Sequence, residues 1–163
     1  MNPISALKRV SFKNILKVIF IGLRYPLFVL PTIQATKDCM RISTELYGRL
    51  HYKNGSTNAF RHAFWNYLIA KRCYKWQKNI ETAMNWAKKI TDWHESAFPN
   101  KPLAREMDLH NNATGRFAFQ YYFEQPESEV MEIMKKMALN STLVDASSNF
   151  EDFEHQLVHI TEE

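Results

Sequence analysis

The sequence predicts an all-α protein, a compact single-domain bundle of about five to seven helices. Three observations lead there. A chain of 163 residues, 45% hydrophobic and 13% aromatic, is the size of one domain and carries ample material for one core. Four glycines and six prolines are too few for the tight turns of a many-stranded β protein. Leu, Ala, Met, Lys and Glu, all strong helix formers, recur in long stretches with apolar residues three and four apart.

In chain order, the first element is the apolar run ILKVIFIGLRYPLFVLPTI, from Ile15 to Ile33. Lys17, Arg24, Pro26 and Pro31 interrupt it, whereas a spanning helix needs about twenty nearly uncharged residues. Lys8, Arg9, Lys13 and Lys17 resemble the basic start of a signal peptide, but no small-x-small site follows, so cleavage is not expected. Two readings stay open. One is an interfacial helix whose lysines sit over anionic lipid, giving membrane-surface contact through residues 8–33. The other is a helix packed in the core. Residues 1–35 are therefore separated, as a basic apolar segment, from a helical domain over 36–163.

Met40, Ile42, Leu46 and Leu50 predict a second helix ending near Tyr52, before a turn at Asn54-Gly55. Ser56 or Thr57 is expected to cap the next helix, in which Phe60, Ala63, Phe64, Tyr67, Leu68 and Ala70 form a broad apolar surface. His62 and Asn66 lie one turn apart on a neighbouring stripe. Ala83, Trp86, Ala87, Ile90, Trp93 and Ala97 predict a further helix, with His94 at the edge of its buried face and Glu95 beside it. Pro99 and Pro102 bracket a loop, and Asp108 is expected to cap the helix LHNNATGRFAFQYYFE. Pro126 opens one more helix, and the acidic tail from Asn149 is expected to add a short last one.

The net charge of +4 comes from 21 basic against 17 acidic side chains, a mild preference for anionic surfaces, and no nucleic-acid partner is expected. Cys39 and Cys73 have no short spacing and no second pair, which excludes a disulfide framework and a zinc knuckle; both are read as free, buried thiols. G-x-S-x-G, P-loop and dinucleotide fingerprints are absent, and the HE at position 94 lacks the second histidine of a zincin.

What remains is three polar clusters on helices that must pack: Arg61-His62 with Asn66, His94-Glu95, and Asp108 with His110, Asn111 and Asn112. Facing one another, they would form a pocket of imidazoles, carboxylates and amides, the groups from which metal and acid-base sites are built. His62, His94, Glu95 and Asp108 are the candidate catalytic residues. Arg61, Asn66, Asn111 and Asn112 are the candidate substrate-binding residues. His62, His94 and Asp108 are the candidate ligands of a divalent metal, with Zn, Mn or Fe suited to imidazole plus carboxylate and no other cofactor expected. Each also has a plainer reading, as a helix cap, a helix-end pair or a satisfied structural histidine.

The ordered motifs AFRHAFWN (Ala59 to Asn66), HE (His94 and Glu95) and MDLHNNATGR (Met107 to Arg116) resemble an uncharacterised bacterial domain family, found chiefly as the C-terminal module of secreted and polymorphic-toxin-type proteins. Its pattern runs A-F-R-H-A-x-W-N, then H-E, then D-x-x-N-N-x-x-G. The resemblance implies a site made of Arg61, His62, Asn66, His94, Glu95, Asp108, Asn111 and Asn112, and an effector-like setting, without naming a reaction. His110 falls on an open position of the pattern. Here the module nearly fills a small chain with a basic apolar start instead of ending a large one. The order of His62, His94-Glu95 and Asp108 is also similar to the H…HD…D arrangement of metal-dependent phosphohydrolases, with glutamate for the paired aspartate.

The functional expectation is a small bacterial hydrolase, metal-assisted or not, acting on an anionic phosphoester or lipid-like substrate. The alternative is a non-enzymatic helical binding protein whose polar clusters form a structural hydrogen-bond network. A cytoplasmic or peripheral-membrane location, or export without a cleavable signal, fits either reading.

Overall fold

Capping residues and apolar stripes divide the chain into six α-helices among the described residues, and the all-α expectation holds. The computed structural model describes residues 11–98 and 100–161; Lys8, Arg9, Pro99 and the last two glutamates of the tail lie outside the described residues. Helix α1 covers Phe12–Arg24, capped by Ser11, whose hydroxyl accepts from the Asn14 amide. After one residue, Pro26 opens α2 (Pro26–Tyr47) at 118° to α1. Helices α3 (Ser56–Gln77), α4 (Ile80–Ala97), α5 (Pro102–Tyr122) and α6 (Glu127–Leu139) follow. No single helix among the described residues is long and apolar enough to cross a membrane.

Helix α3 is the centre of the bundle, touching α2, α4, α5 and α6. Its sequence explains why. Phe60, Phe64, Tyr67, Leu68, Ile69, Ala70 and Cys73 surround almost its whole circumference, and all are buried. Phe60 stacks on Phe64 with centroids 5.2 Å apart, and Tyr67 meets Phe119 of α5 edge-on at 6.5 Å. Cys39 and Cys73 are free and buried, as expected. In the N-terminal segment, α1 has no fully buried residue, whereas Phe28, Pro31, Ala35, Cys39 and Ser43 of α2 are buried; α2 runs unbroken through residue 35.

Several boundaries differ from the expectation. The second helix ends at Tyr47, because Gly48 at φ 58° takes a left-handed conformation that turns the chain; Leu50–Tyr52 form only a 3₁₀ turn. Gly55, not Ser56 or Thr57, is the N-cap of α3. Asp108 is no cap. Pro102 starts α5 a turn and a half earlier, its fixed φ already helical, which puts Asp108 in the helix interior. The acidic tail forms a 3₁₀ turn at Phe150–Phe153 and a strand, β2 (Val158–His159), parallel to β1 (Thr142–Leu143), in place of a last helix. The Asn111 side chain both donates to the Val158 carbonyl (2.9 Å) and accepts from the Val158 amide (3.0 Å), so the extended tail is tied to α5.

Helices α3 and α5 cross at Gly115. A β-carbon there would lie 2.7 Å from the Ala63 Cα, so only glycine permits this approach, and it brings His62 and Asn112 within reach of each other. Gly115→Ala should therefore destabilise the fold by about 2 kcal/mol or more by overpacking backbone against backbone. Urea unfolding measures it; an unchanged midpoint would refute the close crossing.

Candidate functional site

His62 on α3, Glu95 on α4 and Asp108 on α5 are all buried, and one donor atom from each lies within 4.8 Å of the others. The His62 ring is held on both sides. Its Nδ1 is 3.2 Å from Asn112 Oδ1 and 3.8 Å from Glu95 Oε1; its Nε2 is 3.3 Å from Asp108 Oδ1 and 2.7 Å from an Arg61 guanidinium nitrogen.

The protons in this arrangement are assigned by the surrounding amides. Arg116 can only donate, and its Nη1 is 3.0 Å from Asn66 Oδ1, so that atom is the carbonyl oxygen. Thr91 also points its hydroxyl at Asn66 Oδ1 (3.1 Å), but its one proton is shared with the Ala87 carbonyl at 3.0 Å. The Asn66 nitrogen then donates to the His62 carbonyl (3.2 Å) and to Asn112 Oδ1 (2.7 Å). Asn112 Oδ1 is thereby an acceptor and its nitrogen donates to Glu95 Oε1 (3.4 Å). His62 Nδ1 must carry the hydrogen. Its Nε2 is left with a lone pair, toward which Arg61 donates and beside which stands a buried Asp108 oxygen with no hydrogen-bond partner.

Burial sets the charge states. Desolvation, helped by the Arg61 charge, holds His62 well below its ordinary pKa, so the ring is neutral near pH 7. Desolvation raises Asp108 to about 7, with Arg61 pulling the other way. Desolvation and the Asp108 charge raise Glu95 to about 7. A neutral imidazole thus faces two carboxyls poised between acid and base at neutral pH.

Asp108 opens on a cavity of about 510 Å³ that is also lined by Tyr52, Lys53, Asn54, Asn58, Arg61 and Asn100. Arg61 lies over the Tyr52 ring at 5.9 Å, and Asn100 donates to Asp108 Oδ2 at 3.4 Å. The cavity is polar and basic on one wall and acidic at its floor.

Not every expected residue joins. His94 is absent from the cluster of donor atoms, where Glu95 takes the expected third place. The His94 ring packs against Trp65 (5.1 Å) and Phe98 (4.6 Å), and burial lowers it to about 4. Asn111 is engaged with Val158, and His110 binds the Gln156 carbonyl at 2.9 Å, so both serve the tail. Asn66 and Asn112 are buried network members without a place on the cavity wall. Sequence reasoning missed Thr91, Asn100 and Arg116. Arg116 closes the quoted third motif, and its position one residue after the close-packed Gly115 was the available signal.

An all-α protein with a buried histidine, two carboxyls and an amide relay is the class this defines. Residues 19–142, most of the chain, match the family described as Domain of unknown function (DUF6973), and the chain belongs to that family. No curated protein and no solved structure matches it.

Two predictions test the relay. Arg116→Met removes the only obligate donor to Asn66 among the described residues and should cost about 1–3 kcal/mol, whereas Thr91→Val, losing a shared proton, should cost under about 1 kcal/mol. Equal losses in denaturant unfolding would contradict the proton assignment. For Asp108, the raised folded pKa means that protonation stabilises the fold below the unfolded value near 4, a contribution lost as pH rises to about 7. Asp108→Asn should therefore gain stability relative to wild type by about 2 kcal/mol between pH 5 and pH 8. A pH-independent difference would mean that the carboxyl is not perturbed.

Proposed function

We propose that this protein is a small hydrolase of anionic, phosphoester or lipid-like substrates, assisted by a divalent metal held by His62, Glu95 and Asp108. The observation that carries the reading is the unpartnered Asp108 oxygen, buried 3.3 Å from the lone-pair nitrogen of His62 at the floor of a basic cavity. His62 Nε2 accepts from Arg61, and the Asp108 oxygen beside it lacks a donor, so a proton or a cation is needed at that oxygen. A neutral imidazole and two carboxylates suit Zn, Mn or Fe.

When bound, such a metal would polarise the substrate and lower the pKa of water. The chain's own groups supply the rest. Arg61 and the Lys53 side of the cavity would hold the anionic group, with Asn100 keeping Asp108 in place. Without a bound cation, Asp108 or Glu95, raised to about 7, would take the proton from attacking water and return it to the leaving oxygen. Asn112 keeps the His62 ring oriented through Nδ1–H.

The secreted, polymorphic-toxin-type setting of the resembling motifs makes an effector role part of this proposal. Expression of the wild type should then arrest growth, and Asp108→Asn should relieve it. A second reading, a structural network without chemistry, is favoured by the complete hydrogen bonding of Asn66.

Elemental analysis of the full chain purified without a histidine tag, with melts in the presence and absence of chelator, separates the readings. The hydrolase reading expects one metal per chain, lost in Asp108→Asn, and phosphoester or phospholipid cleavage reduced about 100-fold or more in that variant with its fold retained. Because both carboxyls must ionise to bind a cation, the metal-induced rise in Tm should be larger at pH 8 than at pH 5.5. A metal-free wild type that melts identically with chelator, and whose variants lose only stability, would leave the structural network standing.

A further inference from the structure

Helix α1 carries two apolar faces, and the fold uses only one. Its inward side is fixed to the bundle: Val18 and Ile21 pack against the main core, and Trp93 of α4 donates its indole hydrogen to the Asn14 carbonyl at 2.9 Å. Phe12, Leu16, Ile19, Phe20 and Leu23 follow the i, i+4, i+7, i+8, i+11 pattern, a single stripe of roughly 100°. They point away from that side, with Phe12 and Leu23 each 74% exposed and Phe20 68% exposed. Beyond the elbow, Leu27, Leu30 and Ile33 of α2 are exposed as well. Lys13, Lys17 and Arg24 fall together on the flank next to the stripe, toward roughly 100–140° on the same wheel. None of the three is in an ion pair among the described residues.

An apolar stripe of this size facing water is costly, at about 25 cal/mol for each Å² left unburied, and marks a contact surface. Charge decides the occupant. The first carboxylate in the sequence is Asp38, so α1 and the elbow carry no acidic side chain of their own, and the Asp92 of α4 that shares a groove with Lys17 is paired with Lys88. A second copy docking symmetrically would set like charges against like. An anionic bilayer surface supplies both partners at once: acyl chains for the stripe and lipid phosphates for the lysine flank. α1 alone does not cross the bilayer, since its 13 residues reach only about 20 Å against a hydrocarbon core of about 30 Å, and beyond the 118° bend α2 buries Phe28, Pro31 and Ala35 in the bundle.

We propose that the protein docks on anionic lipid surfaces through α1 lying in the interface, with Phe12, Leu16, Ile19, Phe20 and Leu23 inserted and Lys13, Lys17 and Arg24 level with the phosphates. The proposal stands on α1 and is independent of the His62 pocket.

The full chain should co-sediment with phosphatidylcholine vesicles containing phosphatidylglycerol and bind pure phosphatidylcholine vesicles far more weakly. Phe20→Glu with Leu23→Glu, both exposed and so compatible with folding by circular dichroism, should weaken partitioning about tenfold or more. Lys13→Gln with Lys17→Gln should cut the anionic-lipid component about tenfold and leave any residual binding to neutral vesicles unchanged. Vesicle binding is read by sedimentation and not by turnover, which keeps this result separate from the fate of the hydrolase reading. Lack of sedimentation with anionic vesicles, or equal binding by the glutamate variant, overturns the proposal. So does a dimer in sedimentation velocity that the glutamate variant abolishes while vesicles capture nothing.

Discussion

The pocket depends on one carboxamide. Asn66 is fully buried, and its two polar atoms are spoken for by four partners on three helices: the Arg116 and Thr91 donors on one side, the His62 carbonyl and Asn112 oxygen on the other. An amide in a low-dielectric interior is expensive to leave unpaired, roughly 1–3 kcal/mol for each orphaned group, so the network is stable only when it is complete. Completeness removes freedom. Once Arg116 fixes which Asn66 atom is oxygen, the Asn112 orientation follows, then the His62 tautomer, then the lone pair at Nε2. A guanidinium on α5 thus determines the chemistry available at an imidazole on α3 to which it makes no direct hydrogen bond.

That relay is possible only because α3 and α5 approach closely, and the approach rests on Gly115 against the Ala63 backbone. His62 adjoins Ala63, and Asn112 lies one turn before Gly115, so the contact point and the functional groups are neighbours along both helices. The Nδ1 side of the ring meets Asn112 and Glu95, while the Nε2 side faces Asp108 and the cavity beyond it. Burial that keeps His62 neutral also raises Glu95 and Asp108 to about 7. Desolvation acts in opposite senses on acids and bases, and the result is a set of groups able to exchange protons near neutrality.

How much of this was legible in the sequence follows from the range of the forces involved. Helix existence was legible because three-to-four spacing of apolar residues is local, and the polar residues Arg61, His62, Asn66, Glu95, Asp108 and Asn112 stood out against that spacing. Boundaries were less so. Asp108 looks like a cap because Asp caps helices, but Pro102 competes for the start and wins, since its φ is already helical. His94 and Glu95 are adjacent, and the helix sends them about 100° apart. Only tertiary packing could decide that Glu95 reaches the cluster while His94 rests between Trp65 and Phe98. Asn111 and Asn112 divide in the same way, one gripping Val158 and the other His62. Arg116 was legible only through its place beside Gly115 at the end of the third motif, since its partner Asn66 lies 50 residues away in the sequence.

The two faces of α1 extend the same reasoning to the surface. A core helix needs one apolar stripe, and the bundle supplies a partner for one, through Val18, Ile21 and the Trp93 hydrogen bond. The second stripe gains nothing from folding. Its cost persists in the folded chain, so the contact that offsets it lies outside the fold. The flanking lysines restrict that contact further, since a neutral apolar partner would gain nothing from them and a cationic one would be repelled. The basic wall of the cavity at Asp108, with Arg61 and Lys53, has the same preference in miniature. Two separate regions of one chain therefore present basic side chains, and a net charge of only +4 conceals this because the acidic residues begin only at Asp38.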